Sequence, residues 1–192
     1  MARLQGTSFA LLPSTVFSFS IERWVEPLAR GRRMIFGMTP FTFFHVLLSL
    51  IGIASGLLVL FGMLASNRLP ALTATFLATT VATSVTGFFF PFDHLLPSHI
   101  VGIMSLAALA IALAALYALH LRGAWRWIYV ATAVFPLYLN VFVLVAQAFQ
   151  KVPALHALAP TQAEPPFAIA QGIVLLVFIA LGIVATRKFH PH

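Results

Sequence analysis

The sequence predicts an all-α polytopic membrane protein, five transmembrane helices in an antiparallel bundle, and three observations carry that prediction. Of its 192 residues 61% are hydrophobic and only 8% charged, with a mean hydropathy of +1.01. A soluble domain is about one-quarter charged because it needs a solvated skin, so most of this surface must face lipid. The apolar residues fall into five stretches of about 20, the length at which a helix crosses the hydrocarbon with its backbone satisfied internally. Short turns such as SNRLP, DHLLP and LRGAWR join the first four, so consecutive helices must reverse direction.

Two regions are expected: a basic tail over residues 1–33 and the membrane domain over 34–192. In the tail, FALLPSTVFSFS is too short to span and IERWVEPLARGRR suits a headgroup-level segment. No small-x-small cleavage site follows a clean apolar core, and a start at Met34 or Met38 is an equal alternative.

The first span, 41–65, carries His45, Ser49, Gly52 and Gly56 on one stripe, spaced i, i+4, i+7 and i+11. Small residues below a histidine leave room for a flat cofactor or for another helix. The second span, 71–92, carries Thr79, Thr83 and Thr86 on one stripe and Thr80, Ser84 and Gly87 on another. These read as packing residues that bond to their own helix or a neighbour. The third span, 98–120, repeats the histidine and small-residue pattern with His99 and Gly102. The fourth, 127–149, begins at an interfacial anchor of Trp125, Trp127 and Tyr129 and contains Pro136, Asn140 and Gln147 on one face. An amide at the depth of Asn140 must find a partner or line a path. The connection QKVPALHALAPTQAEPP holds four prolines, which predict no continuous helix and a lid over one end of the bundle. It carries His156 and Glu164. The fifth span, 167–186, places Gln171 near its start.

This layout sends the polar residues to one end. His45, His99, Gln147, Gln150 and Gln171 meet there with the loop residues Asp93, His94, His156, Gln162 and Glu164. The opposite end carries Arg68, Arg122, Arg126, Arg187 and Lys188. By the positive-inside rule the arginine end is cytoplasmic, which puts the carboxyl terminus inside and the polar site on the periplasmic side of a bacterial inner membrane. Arg3, Arg23, Arg30, Arg32 and Arg33 of the tail oppose that orientation. The net charge of +7 reads as topology and lipid-headgroup contact, not nucleic-acid binding. The absence of cysteine excludes thiolate catalysis, disulfide exchange and Cys-ligated clusters.

Ionisable groups inside a membrane are rare and usually functional. His45 and His99, with Gly52 and Gly102 making room, suit a haem b held between two helices. Asp93, His94, His99 and His45 offer nitrogen and oxygen ligands to a metal, although Asp93 also fits a plain helix cap. Glu164 and His156, held over an apolar bundle, would carry protons for a quinol, the carboxyl raised toward neutrality. Asn140, Gln147 and Gln171 would line the way inward.

The segments TSVTGFFFPF, WRWIYV and APTQAEPPFAIAQ, within residues 38–186, resemble small polytopic bacterial membrane proteins without an assigned function. The chain is also similar in kind to the small cytochromes b561, whose helix-borne histidines bind haem and exchange electrons with quinol. The resemblance implies at most one haem, since only His45 and His99 stand on helix faces at one end and His120 lies at the other. Three classes follow: a haem b or metal redox protein using quinol; a small-solute or proton-coupled carrier, which at five helices would need a homo-oligomer; and an accessory subunit of a membrane complex.

Overall fold

The computed structural model describes residues 37–90 and 97–190, and it is helical almost throughout. Its elements are α1 (Pro40–Leu64), α2 (Pro70–Gly87), α3 (Pro97–Leu113, continued by a π-helical turn over Ala114–Ala118), α4 (Trp125–Lys151), the short α5 (Pro153–Leu158) and α6 (Pro165–Lys188). By its internal contacts the chain falls into two units, one ending at Phe43 and one beginning at Phe44. Of the first, the described part starts α1: the Thr39 hydroxyl accepts the Thr42 N–H at 3.2 Å, a threonine cap directly before a proline at the first helical position.

Among the described residues, four helical stretches are long and apolar enough to cross a membrane: Pro40–Leu64, Ser98–Ala118, Trp125–Lys151 and Pro165–Lys188. The second expected span is shorter than its apolar run. Regular helix stops at Gly87, and the N–H groups of Phe88 and Phe89 tighten onto the carbonyls of Val85 and Thr86 at 3.1 Å each. Its 18 residues rise about 27 Å, just under a hydrocarbon core of about 30 Å. Six of its residues are threonines, and it is not among the stretches long and apolar enough to span.

Helix α4 is the hub, packing on α3, α6, α2 and α5. The core around it includes Val59, Leu60, Phe76, Leu109, Val130 and Leu137, each at most 4% exposed. Helix α6 touches the rest through a narrow seam, with Gln171, Phe178 and Ala185 its buried residues, one every seven positions. Its other faces are apolar and exposed, as a lipid-facing helix requires.

One sequence expectation is refined here and another changes. The 150–166 connection forms no continuous helix, yet its prolines admit a short one. Pro153 and Pro165 stand at the first turns of α5 and α6, where a missing N–H costs nothing. Tyr129 does not share the interfacial belt: Trp125 and Trp127 are 37% and 52% exposed, whereas Tyr129 is 2% exposed in the core.

Gly56 sets how closely α1 approaches. A Cβ there would lie 2.6 Å from Leu137 and 2.8 Å from the Phe76 ring, both fully buried. Replacing Gly56 by Leu is expected to destabilise the protein by about 1–3 kcal/mol through overpacking. Gly172, with nothing within 4 Å of the same position, should accept Ala without loss. Thermal unfolding in detergent separates the two.

Candidate functional site

Polar residues of the interior recur along α2 in a row that turns with the helix, Thr80 on one stripe and Thr83 and Thr86 on the next. At mid-helix, a Cβ on Gly52 would lie 3.2 Å from Thr80 Oγ1, 3.3 Å from Thr79 Oγ1 and 3.7 Å from Asn140 Nδ2. Gly52 is therefore the point on α1 around which α2 and α4 bring three polar side chains. One turn further along α2 stands Thr83, and Thr86 follows at the same spacing. The Thr86 hydroxyl meets His45 Nδ1 at 2.8 Å.

Most hydroxyls of these helices are satisfied by the chain itself. Ser49, Thr75, Thr79, Thr86 and Thr132 each donate to the carbonyl four residues back, at 2.7–3.0 Å. Ser84 donates across to Ser105 at 3.0 Å, a buried bond between α2 and α3. Among the described residues, four buried side-chain atoms have no protein partner: Thr80 Oγ1, Thr83 Oγ1, Asn140 Nδ2 and Gln171 Oε1. Each unmade bond in an apolar interior costs about 1–3 kcal/mol, so such groups are exceptions that call for a function. Reading all the threonines as packing residues holds for Thr75, Thr79 and Thr86 and does not account for Thr80 and Thr83.

With the Thr86 hydroxyl committed to Ala82 O at 2.7 Å, the network assigns the ring proton of His45 to Nδ1 and leaves the lone pair on Nε2. The ring also meets Phe90 edge-on at 5.0 Å between centroids. His99 is 3% exposed and lies against Phe88 at 5.6 Å. His45 is therefore held by the last turn of α2 and His99 lies against the residue that follows it, both at the end the sequence indicates. The glycines expected to make room for a cofactor are covered by the chain's own residues: Gly52 by Thr79, Thr80 and Asn140, and Gly102 by the Phe88 ring, 3.1 Å from a Cβ built there. Among the described residues no three of His, Asp or Glu gather as metal ligands would. Asp93 and His94 lie outside the described residues.

The remaining candidates are dispersed. Gln171 Nε2 donates to Phe142 O at 3.0 Å and is buried. Gln147 and His156 are exposed. Gln162 ties the connection down onto α4, donating to Ala146 O at 2.7 Å. Glu164 turns back on its own loop, accepting the Thr161 hydroxyl at 2.8 Å, the Thr161 N–H at 3.2 Å and the Ala163 N–H at 3.1 Å. Slight desolvation acts upward on its pKa, and these donors together act more strongly downward, so the carboxyl sits below its ordinary value. The expectation of a carboxyl raised toward neutrality is therefore corrected: a group that gathers donors and keeps contact with water favours its charged form.

No family model matches the chain, and no curated protein or solved structure matches it.

The lowered carboxyl gives a pH test with a definite sign. A group whose folded pKa is depressed stabilises above its unfolded pKa and loses that effect as pH falls through the folded one. The Thr161–Glu164 turn should therefore resist protease at neutral pH and open only below the ordinary carboxylate range. Glu164→Gln should abolish that pH dependence. Cleavage within 159–166 of the folded protein, followed from neutral to strongly acid pH with an acid-stable protease, reads both.

Proposed function

We propose that the chain is a five-span membrane protein, a small-solute or proton-coupled carrier in which the polar row along α2 is the route. The observation that carries this reading is the set of unpartnered buried atoms, Thr80 Oγ1 and Thr83 Oγ1 on α2 and Asn140 Nδ2 on α4, within two turns along α2 of the Thr86 that holds His45. A passing hydroxyl, amide or water supplies the bonds the protein leaves unmade, and at His45 the Nε2 lone pair is a further hydrogen-bond acceptor. From Thr80 to Thr86 the row rises about 9 Å, a good part of one leaflet. In this reading α2 is the fifth span, its threonines turned inward and its short length offset by the turn at Phe88–Phe90. The five cations of the arginine end support a cytoplasmic carboxyl terminus and a periplasmic His45 end in a bacterial inner membrane. Alternating access usually needs repeated halves, so five helices argue for a homo-oligomer as the working unit.

The test is flux through proteoliposomes of the full chain, using glycerol swelling for a small neutral solute and an entrapped pH dye for protons. At least one flux should exceed that of protein-free vesicles. Asn140→Leu, matched in size and free of polar groups, should cut it about tenfold, the cost of one lost hydrogen bond in a dry interior. Neither probe passing faster than in empty vesicles would sink the proposal.

A redox protein with haem b or another metal centre, reduced by quinol, is the second reading. One observation favours it: a ring nitrogen donating to a neighbour while the other keeps its lone pair is how a ligating histidine is oriented, and His45 is held that way by Thr86. Visible absorption and metal analysis of the purified protein decide it. A Soret band lost in His45→Ala is the expected result for this reading, and colourless, metal-free protein removes it.

A further inference from the structure

The opposite end of the molecule holds a cavity that the polar row does not reach. Its volume is about 220 Å³, and it opens where the turn after α1, the π-helical turn of α3, the start of α4 and Phe189 converge. Its floor is largely apolar: Met63, Leu121, Phe189 and the ring of Tyr129 line it, each at most 7% exposed, with the Tyr129 hydroxyl bonded to Thr73 beside them. Arg68 and Tyr117 stand exposed at its mouth. The π-helical turn puts the consecutive residues Leu116 and Tyr117 on the same wall. Widened turns of this kind recur at functional sites.

The charge is one-sided. Glu164 is the only carboxylate among the described residues, and it precedes α6, whereas Phe189 of the cavity follows it. Arg122, Arg126, Arg187 and Lys188 share the end that carries Arg68. A water takes about 30 Å³, so the cavity has room for much more than one water or a bare ion. An apolar floor also repels a hydrated ion, because its shell would be lost without replacement. The occupant must offer an anion at the mouth and hydrocarbon inside. Trp125 and Trp127, exposed at the same end, mark the depth at which lipid headgroups lie.

We propose that this cavity binds an anionic phospholipid, its phosphate paired with Arg68 and the first part of an acyl chain laid over Met63, Leu121 and Phe189. A guanidinium matches two phosphate oxygens at once, and basic pockets between spans are sites of anionic headgroups. The site is independent of the polar row and stands whether or not the chain carries a solute.

The test uses the full chain in uncharged detergent, with thermal unfolding and native mass spectrometry as readouts. The probes are phosphatidylglycerol, phosphatidylcholine with the same chains, and inorganic phosphate. Phosphatidylglycerol should raise the unfolding temperature and remain bound as one copy, with phosphatidylcholine weaker and phosphate without effect. Arg68→Gln should weaken phosphatidylglycerol binding roughly five- to tenfold, as loss of one headgroup cation does. Leu116→Trp, which fills the cavity and keeps the charge, should weaken it as well. The paired variant Arg122→Gln, Arg126→Gln, outside the cavity, should leave the bound copy in place. The proposal is overturned if Arg68→Gln binds like wild type, if the paired variant loses as much as Arg68→Gln, or if inorganic phosphate alone reproduces the shift.

Discussion

In hydrocarbon a polar group has no solvent to fall back on, and this one constraint organises the molecule. It makes each apolar stretch a helix, since only a helix closes its own backbone bonds. It also sets how side chains behave: Ser49, Thr75, Thr79, Thr86 and Thr132 turn back to carbonyls of their own helix. Against that uniform behaviour the exceptions stand out. Thr80, Thr83, Asn140 and Gln171 keep hydrogen-bonding atoms uncommitted in a place where doing so is costly. Two of them stand on α2, whose Thr86 holds His45, and Asn140 meets Gly52 beside Thr80, so the cost is concentrated around one helix.

What could be read from the sequence and what could not follow from the same physics. Composition and segment length disclosed the helical membrane class and the positions of the long apolar helices, because hydropathy is a property of a stretch taken by itself. The end of α2 was not legible. The apolar run continues through Phe88–Phe90, and only the hydrogen-bond pattern shows the helix closing at Gly87. The π-helical turn of α3 and the helix Pro153–Leu158 were hidden for a similar reason, since both depend on how neighbouring elements pack.

The candidate site was legible by level and not by azimuth. Counting residues from the turns correctly sends His45 and His99 to the same end. Which residues each one meets depends on helix rotation, and a one-residue difference in the turn changes it by about 100°. The glycines carry the same ambiguity. A stripe of small residues signals close approach without saying what approaches, and here Gly52 and Gly56 are met by Thr80, Phe76 and Leu137. Thr80 and Thr83 were named in the sequence as packing residues; only their lack of a partner, visible in three dimensions, sets them apart from Thr75 and Thr79.

The position of Asn140 on α4 has a consequence for biosynthesis. Helices enter the bilayer in chain order, and packing between them follows insertion. When α1, α2 and α3 have been released by the ribosome, Gly52 and Thr80 can already meet, but their third polar neighbour is still to be synthesised. Until α4 arrives, Asn140 is missing from beside Gly52 and Leu137 from beside Gly56, whereas the Ser84–Ser105 bond joins helices already made. The fourth helix therefore completes the packing of the first three, and a nascent chain stalled before residue 140 would lack the element on which the others pack.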